Sequence, residues 1–255
     1  MPTGTLYLVP APLDFGCESA ASLDTALPRH TLQQAARLTH WIAENAKTTR
    51  AYLKRVDALY PLAAPLQAQQ IVELPRQAHK KGDHHGSGQP FDARPLLEPA
   101  LQGHDIGLVS EAGLPGVADP GSSVVRAAHT LQLRVVPLAG STSLLLALAA
   151  SGLNGQHFAF VGYLPQDAAQ RTQQIRKLEN LARQSGQSQI CMETPFRNAA
   201  LWQALLNTLQ ADTWLSVSAG LTLETATSHS RPVREWRTHP VPVDNQTPAI
   251  FCFGR

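Results

Sequence analysis

Two carboxylates stand inside a glycine-rich stretch that holds no basic side chain. Residues 107–121 read GLVSEAGLPGVADPG; they include Glu111 and Asp119, and the next Lys or Arg along the chain is Arg126. A loop that binds a phosphate group usually recruits a Lys or Arg beside its backbone N–H groups. The residue types therefore argue against a phosphate ligand at this stretch.

The glycine-rich stretch lies between a strand and a helix. An apolar run at 106–109 predicts the strand, and a helical pattern begins after Gly121. This order brings the backbone close to a ligand. A second turn, GSTS at 140–143, follows a predicted strand at 133–138 and offers N–H groups and hydroxyls. Turns at the carboxyl ends of parallel strands face one crevice, so we expect both turns to contact the same ligand.

Hydrophobic periodicity divides the chain into two halves of different texture. The first half alternates strands with helices, which predicts parallel β-α-β units. The second half has short strands and hairpin signals, which predicts a mixed sheet. Strands are predicted at 5–9, 106–109, 133–138, 158–163, 189–192, 214–219 and 249–253. Helices are predicted at 31–42, 48–59, 95–101, 123–131, 144–150, 165–187 and 201–209. A short strand is also predicted over 41–43, and a helix or turn over 231–236.

The composition is that of a globular protein with little net charge. The 255 residues are 43% hydrophobic and 16% charged, with a net charge of +2, so nucleic-acid binding would need a local patch. The low content of charged residues is also compatible with a surface that is buried in an interface.

Cys17, Cys191 and Cys252 form no CxxC pair, which argues against a disulfide framework or a zinc site and favours a reducing compartment. Pro and Gly residues break the charge-free run 135–166, so we expect buried core there rather than a membrane span.

Two further features leave alternatives open. Between Arg29 and Arg55 the chain has six basic residues and one acid, Glu44. They form either a solvated helix face or a binding surface for an anionic polymer.

A histidine-bearing loop at 79–88 lacks the helical spacing or cysteine partners of a zinc site. We therefore expect no metal, and a loop over an open cleft.

Residues 110–121, SEAGLPGVADPG, resemble the SDAGTPGxSDPG loop of the tetrapyrrole methylase superfamily. They are most similar to its branch of ribosomal-RNA 2′-O-ribose methyltransferases acting on cytidine. Further similarities follow in the same order along nearly the whole chain. LYLVPAPL at 6–13 is similar to the LYVVATPIG opening of that branch, AENAK at 43–47 to its AEDTR, and VPLAGSTS at 136–143 to its VPIPGPSA. FVGYLP at 160–165 is similar to FxGFLP, and ETPFR at 193–197 to ESPHR.

The resemblance implies an S-adenosylmethionine-dependent methyltransferase of two α/β domains. A parallel-sheet domain would cover residues 1–138 and a mixed-sheet domain residues 139–255, with the methyl donor in the cleft between them. A sulfonium cation suits a loop that holds Glu111 and Asp119 and no basic residue. The implied donor contacts on the first-domain side are Leu13, Gly113, Leu114, Val117, Thr142 and Ser143. On the second-domain side they are Glu193, Thr194, Pro195, Phe196, Leu221, Pro248 and Ala249.

The resemblance also implies how a methyl group reaches its acceptor. Direct displacement at the methyl carbon needs the acceptor in line with the breaking bond, so positioning supplies most of the acceleration. A ribose hydroxyl is a poor nucleophile at neutral pH, and Glu44 is the candidate base. Asn45 and Lys47 are expected to place the negative backbone of the acceptor. The alternative for Glu44 is a structural ion pair with Lys47, and for Glu193 one with Arg197 at the domain seam.

Departures from the family pattern leave the acceptor open. Asn45, Ala46 and Lys47 stand where the family has Asp-Thr-Arg, Phe196 replaces a His, and Glu111 replaces an Asp. A Lys does not reproduce the forked contact of Arg with a phosphate. The resemblance implies ribosomal RNA or the small ribosomal subunit as partner, a homodimer, a cytoplasmic location and no membrane. The alternatives are a small-molecule, tetrapyrrole-like acceptor, a protein acceptor, or a non-catalytic RNA-binding relative.

Overall fold

The protein is described here by a computed structural model, which covers residues 2–13, 22–75 and 91–255. These residues divide into two compact units. Unit 1 contains the described residues up to Ser141, and unit 2 is Thr142–Arg255. The expected domain boundary between residues 138 and 139 stays a prediction. The histidine-bearing loop at 79–88 lies outside the described residues.

Unit 1 is built on one parallel sheet. Its strands are β1 (Thr5–Val9), β2 (His40–Ala43), β3 (Gln70–Glu73), β4 (Ile106–Val109) and β5 (Arg134–Pro137). Their order is β3-β2-β4-β1-β5, and every neighbouring pair runs in parallel. This confirms the α/β parallel-sheet class expected for the first half. The helices are α1 (Leu23–Ala26), α2 (Arg29–Arg37), α3 (Ala46–Asp57), α4 (Glu98–Leu101) and α5 (Ser122–Thr130), with 3-10 turns at Leu66–Ala68 and Arg94–Leu97.

The helix predicted over residues 31–42 ends earlier than expected. α2 ends at Arg37, and the short strand expected over 41–43 is the whole of β2, which pairs with β3 and β4. Trp41 and Ile42 are buried on that strand. Pairing with two neighbouring strands outweighs helical spacing at these residues, since tertiary context routinely overrides local propensity.

The central strands β1, β2 and β4 of the parallel sheet are largely buried on both faces, as in sheets that helices cover on each side. In β4, Ile106 and Leu108 belong to an apolar cluster that includes Val124 of α5. Val109 belongs to a second cluster, which includes Leu53 of α3. Each fully buried Leu or Val side chain contributes roughly 1.5–3 kcal/mol. The two clusters therefore fix the position of the carboxyl end of β4, where the candidate site begins.

Unit 2 is built on a mixed sheet, as expected for the second half. Its strands are β6 (Phe158–Tyr163), β7 (Ser188–Glu193), β8 (Trp214–Ala219), β9 (Thr227–Pro232) and β10 (Ala249–Gly254). The order is β6-β7-β10-β8-β9; β6 and β7 are parallel and the other pairs are antiparallel. The helices are α6 (Ser143–Ser151), α7 (Ala168–Ser185), α8 (Asn198–Thr208) and α9 (Val233–Trp236), with a 3-10 turn at Pro195–Arg197.

One strand of unit 2 escaped the sequence prediction. A helix or turn was expected over 231–236, but β9 extends to Pro232 and α9 begins only at Val233. The strand reads TSHSRP and is mostly exposed. It lies at the edge of the sheet beside β8, so backbone pairing forms it without an apolar pattern.

The sheet of unit 2 separates two apolar clusters. Cys191 and Phe251 face a cluster with α7 and α8, whereas Ile190 and Ile250 face a cluster with α6. Cys191 and Cys252 are buried and carry no disulfide. Among the residues that the structure describes, no helix is long and apolar enough to cross a membrane.

Candidate functional site

Three strands of unit 1 end side by side. Val109 at the end of β4 is the register partner of both Val9 in β1 and Ala43 in β2. The backbone N–H of Glu44 continues this pairing and donates to the carbonyl of Val109 at 3.2 Å. The residues that follow the three strands therefore share one edge of the sheet, which is where ligands bind in open α/β sheets.

Three carboxylates gather at this edge. The backbone N–H of Glu111 donates to Oε2 of Glu44 at 3.2 Å. Burial, and then the nearby Glu44 and Glu111, raise the pKa of Asp119 to about 7. Among the described residues, no group of three or more His, Cys, Asp or Glu has an arrangement that could hold a metal ion. The negative charge of the three carboxylates favours a cation, and the raised pKa of Asp119 allows proton exchange near neutral pH.

The glycine-rich loop has the backbone conformation that its glycines predict. Gly113, Gly116 and Gly121 have φ values of 71°, 79° and 134°, in the region where side chains are strained. Gly113 and Ala11 exchange backbone hydrogen bonds of 2.8 and 3.1 Å. A Cβ on Gly113 would lie 3.5 Å from Leu13. The loop is therefore anchored to the segment after β1, and the predicted donor residues of unit 1 come together there.

The loop also fits the chemistry of the expected donor. Leu114 is half-buried and Val117 is exposed, so both present apolar surface at the loop. Within residues 110–121 the only charged side chains are the carboxylates of Glu111 and Asp119. A cationic sulfonium is favoured next to them, whereas a pyrophosphate would be repelled.

The expected acceptor residues stand at the start of α3. Asn45 is the N-cap, and its side-chain oxygen accepts from the N–H groups of Lys47 at 2.9 Å and Thr48 at 3.3 Å. The N–H of Ala46 donates to Oε1 of Glu73 at 2.7 Å. These bonds satisfy N–H groups that a helix start otherwise leaves open. Asn45 thus has a structural task, and a direct role for Asn45 or the exposed Lys47 towards an acceptor stays a prediction.

A cavity of about 150 Å³ opens beside these elements. Its wall includes Tyr52 of α3, together with Ser110 and Glu111 after β4. Tyr52 and Ser110 are each 5% exposed, and neither hydroxyl has a hydrogen-bond partner among the described residues. Sequence reasoning missed both residues, although Tyr52 stands one turn after Thr48 and so on the same face of α3.

Most of the predicted donor residues of unit 2 meet at one end of its sheet. Ala249 is the register partner of both Glu193 and Ala219. The carbonyl of Pro248 accepts from the N–H of Gly220 at 3.0 Å, and Leu221 follows directly. Thr142 and Ser143 were expected on the first-domain side, but both belong to unit 2, where Thr142 is the N-cap of α6 and makes no side-chain cap bond.

The Glu193 to Arg197 segment forms an internal ion pair. Arg197 donates to Oε1 of the buried Glu193 at 2.7 Å, and the N–H of Thr194 donates to the same oxygen at 2.8 Å. This is the structural alternative considered for Glu193. Pro195 begins the following 3-10 turn, and Phe196 is 66% exposed, with the Arg197 guanidinium 5.1 Å from its ring centroid. Of the segment, Phe196 presents the largest free surface to a ligand.

Several curated proteins of related sequence carry one name. Ribosomal RNA small subunit methyltransferase I of Pseudomonas aeruginosa is 30% identical over 179 residues, which are 70% of this chain and 54% of that protein. The protein of the same name from Halalkalibacterium halodurans is 29% identical over 176 residues, 68% of this chain and 51% of that protein. The chain thus spans about half the length of these curated relatives. No model of a known protein family matches it.

Solved structures share the fold over almost all of the chain. The methyltransferase CobJ covers 100% of this chain and 95% of its own, with a TM-score of 0.56 and 15% identity. Uroporphyrin III C-methyltransferase from Thermus thermophilus covers 99% of this chain and 98% of its own, with a TM-score of 0.54 and 16% identity. These two solved structures show that the chain has the fold of known methyltransferases, and its sequence is similar to proteins named as a ribosomal RNA methyltransferase.

Proposed function

We propose that the protein is an S-adenosylmethionine-dependent methyltransferase that methylates a ribose 2′-hydroxyl of ribosomal RNA, at cytidine. The observation that carries the proposal is the cluster of Glu44, Glu111 and Asp119 around a glycine loop without a basic residue. The names of the sequence relatives support the same activity. Since the chain spans about half their length, their substrate comes to this chain as a proposal.

Each unit offers candidate residues for the methyl donor. In unit 1 these are Leu13, Gly113, Leu114 and Val117, and in unit 2 they are Thr142, Ser143, Glu193, Thr194, Pro195, Phe196, Leu221, Pro248 and Ala249. When bound, S-adenosylmethionine supplies a methyl group that is electrophilic because it is attached to a positively charged sulfur. The carboxylates of unit 1 would favour that positive charge.

The same carboxylates can take the proton of the acceptor. A ribose hydroxyl loses its proton as its oxygen bonds to the methyl carbon, and a base with a pKa near the working pH is most effective. Burial, and then the nearby Glu44 and Glu111, raise the pKa of Asp119 to about 7, so this carboxyl can accept a proton near neutral pH. Glu44 remains the candidate base that the sequence suggests, and the raised pKa of Asp119 makes it a second candidate.

Donor binding and methyl transfer test the proposal in two steps. Calorimetric titration with S-adenosylmethionine should show binding, and no heat at millimolar donor would contradict any methyltransferase role. Transfer of tritiated methyl groups to small ribosomal subunits should then label RNA. Asp119→Asn or Glu44→Gln should lower the transfer rate about 100-fold or more if that residue is the base. Glu98→Gln, an exposed carboxylate on α4, serves as the matched control.

A small-molecule or protein acceptor is the second candidate. It is favoured by the start of α3, where Asn45 and Glu73 already occupy N–H groups that could otherwise bind a phosphate of RNA. Incubating the protein and labelled donor with a small-molecule extract, and separately with ribosomal subunits, divides the two candidates. Label that stays off RNA and enters the extract would replace the ribose assignment by the second candidate.

The proposal also includes a homodimer and a cytoplasmic location, where ribosomal subunits are found. Light scattering of the purified protein measures the first. A mass of one chain, 27.5 kDa, would contradict the homodimer.

A further inference from the structure

Tyr52 and Ser110, which line the cavity of unit 1, have hydroxyls without a partner among the described residues. Tyr52 and Ser110 are 5% exposed, and no described residue accepts from or donates to their oxygens. A buried polar group without a partner is unfavourable, and such groups are rare in folded proteins. Both residues line one cavity of about 150 Å³. Their shared position points to an occupant that forms hydrogen bonds.

We propose that this cavity is the acceptor-recognition pocket and binds one flat, uncharged six-membered heterocycle, the pyrimidine ring of a nucleoside, through Tyr52, Ser110 and Glu111. The inference rests on the proposed function and adds the residues that select the acceptor.

The size and walls of the cavity fit one ring. A cavity of about 150 Å³ accommodates benzene in a protein interior, and this cavity has the same volume. Ala11, Pro12 and Val109 supply apolar wall. A ring stacked against such side chains keeps its edge free for hydrogen bonds, which is how proteins read unstacked bases of single-stranded RNA.

The polar groups fit the edge of a pyrimidine. Hydroxyls of Tyr52 and Ser110 can donate to a ring nitrogen or carbonyl, and each can also accept. The carboxylate of Glu111 accepts only, and a carboxylate is the side chain that pairs with the amino group of cytosine. Cytosine offers a carbonyl, a ring nitrogen and an amino group on one edge, whereas uracil lacks the amino group. The pocket should therefore favour cytidine over uridine.

The charges at the cavity favour an uncharged occupant. Its wall holds one acid, Glu111, and one base, Arg55. Glu44 and Asp119 add negative charge nearby, since both interact electrostatically with the same cluster. A phosphate would be repelled by these carboxylates, whereas a neutral ring would not.

The location of the cavity connects recognition to chemistry. Glu111 borders the cavity and also belongs to the carboxylate cluster. Ala11 borders the cavity and pairs with Gly113 of the glycine loop. A base seated in the cavity would leave its attached sugar next to the carboxylates, which is where the proposed proton transfer requires the hydroxyl.

Fluorine NMR with 3-fluorotyrosine tests the pocket directly. The chain has four tyrosines, Tyr7, Tyr52, Tyr60 and Tyr163, so each resonance can be assigned by a Tyr→Phe substitution. Cytidine at millimolar concentration should shift the Tyr52 resonance, uridine should bind more weakly, and ribose 5-phosphate should leave it unchanged. The proposal would be overturned if neither nucleoside changed the chemical shift of the Tyr52 resonance. It would also be overturned if ribose 5-phosphate shifted that resonance as much as cytidine does.

Substitutions separate recognition from folding. Tyr52→Phe and Ser110→Ala should each weaken cytidine binding about 3- to 10-fold. Tyr52→Phe should keep or raise the melting temperature of the free protein, because it removes a hydroxyl without a described partner. Ser216→Ala is the matched control for Ser110→Ala, since Ser216 is another buried serine without a partner among the described residues and lies on β8 of unit 2. Equal cytidine affinity in all three variants and the wild type would contradict the pocket.

The pocket and the proposed function can fail separately. If tritium enters ribosomal RNA while the Tyr52 resonance stays silent to cytidine, the pocket is wrong and the methyltransferase proposal stands. If cytidine shifts Tyr52 but neither donor binding nor methyl transfer is found, the proposed function is wrong and the pocket stands as a base-binding site.

Discussion

The backbone N–H of Glu111 donates a hydrogen bond of 3.2 Å to Oε2 of Glu44. This bond joins the segment after β4 to the segment after β2, and it holds one carboxylate beside the loop that carries another. Burial, and then the two nearby carboxylates, raise the pKa of Asp119 to about 7. The three residues thus form a cluster whose charge changes close to neutral pH.

Replacing Asp119 by Asn should remove a pH dependence of stability. Its pKa is about 7 in the folded protein, against an ordinary value of 3.8. The folded state therefore holds the proton more tightly than the unfolded state. The stabilisation is fully present below about pH 4 and is lost as the pH rises through about 7, and it amounts to at most about 4 kcal/mol.

Urea unfolding at a series of pH values measures this contribution. Between about pH 4 and pH 8, the unfolding free energy of the wild type should fall relative to that of Asp119→Asn. The exposed Glu98→Gln variant should follow the wild type over the same range. A constant difference between the wild type and Asp119→Asn would show that the folded protein does not raise this pKa.

Asn45 should contribute to stability as a helix cap. Its side-chain oxygen accepts from two N–H groups at the start of α3. Asn45→Ala removes this acceptor and should lower the unfolding free energy by about 1 kcal/mol, whereas Asn45→Asp keeps the cap. Chemical denaturation of the three proteins gives the comparison.

The same pair of variants separates capping from contact with an RNA backbone. Asn45→Asp retains stability but adds a negative charge, which would repel phosphates. If Asn45 places an anionic acceptor, RNA binding should fall in Asn45→Asp although the protein is as stable as the wild type. Unchanged RNA affinity in that variant would leave Asn45 with the capping role alone.

The sequence predicts those parts of the fold that depend on local pattern. The run IGLV at Ile106–Val109, followed by glycines with positive φ, gave both the strand and the loop. β9 was missed because its residues are polar and only its pairing with β8 makes it a strand. Tyr52 was missed for a related reason: helical spacing places it on the buried face of α3, but only the folded unit shows that it borders a cavity.

The ion pair between Glu193 and Arg197 should stabilise the end of β7. Glu193 is buried, and Oε1 of its side chain accepts from Arg197 at 2.7 Å. Arg197→Ala would leave the carboxylate without its cation and should cost about 3 kcal/mol. Glu193→Gln with Arg197→Ala should cost less than Arg197→Ala alone, because the Gln substitution removes the unpaired buried charge.

A double-mutant cycle on thermal unfolding isolates the pair. The effects of Arg197→Ala and Glu193→Gln on the unfolding free energy should not be additive. Arg183→Ala serves as the control, because it breaks the more exposed ion pair of Arg183 with Asp212. Surface pairs contribute about 0–1 kcal/mol. Additive effects of the Glu193 and Arg197 substitutions would show that the pair does not stabilise the strand end.

Gly113 and Gly152 provide a matched test of the glycine loop. Their φ values are 71° and 74°, so both need the left-handed conformation. A Cβ would lie no nearer than 3.5 Å to other atoms at Gly113, and it would meet nothing within 4 Å at Gly152. Substitution by Ala should therefore strain the backbone similarly at both positions, by about 1–2 kcal/mol. Urea unfolding should show nearly equal losses for the two variants.

Donor binding should distinguish two variants that are equally destabilised. Gly152 follows the end of α6, whereas Gly113 lies in the loop between Glu111 and Asp119. If that loop holds S-adenosylmethionine, Gly113→Ala should bind it at least about 10-fold more weakly, because an altered loop backbone or an added methyl group disturbs the contact. Gly152→Ala should bind as the wild type does. Equal donor affinity in both variants would place the donor away from this loop, since the loop is the element that only one of them alters.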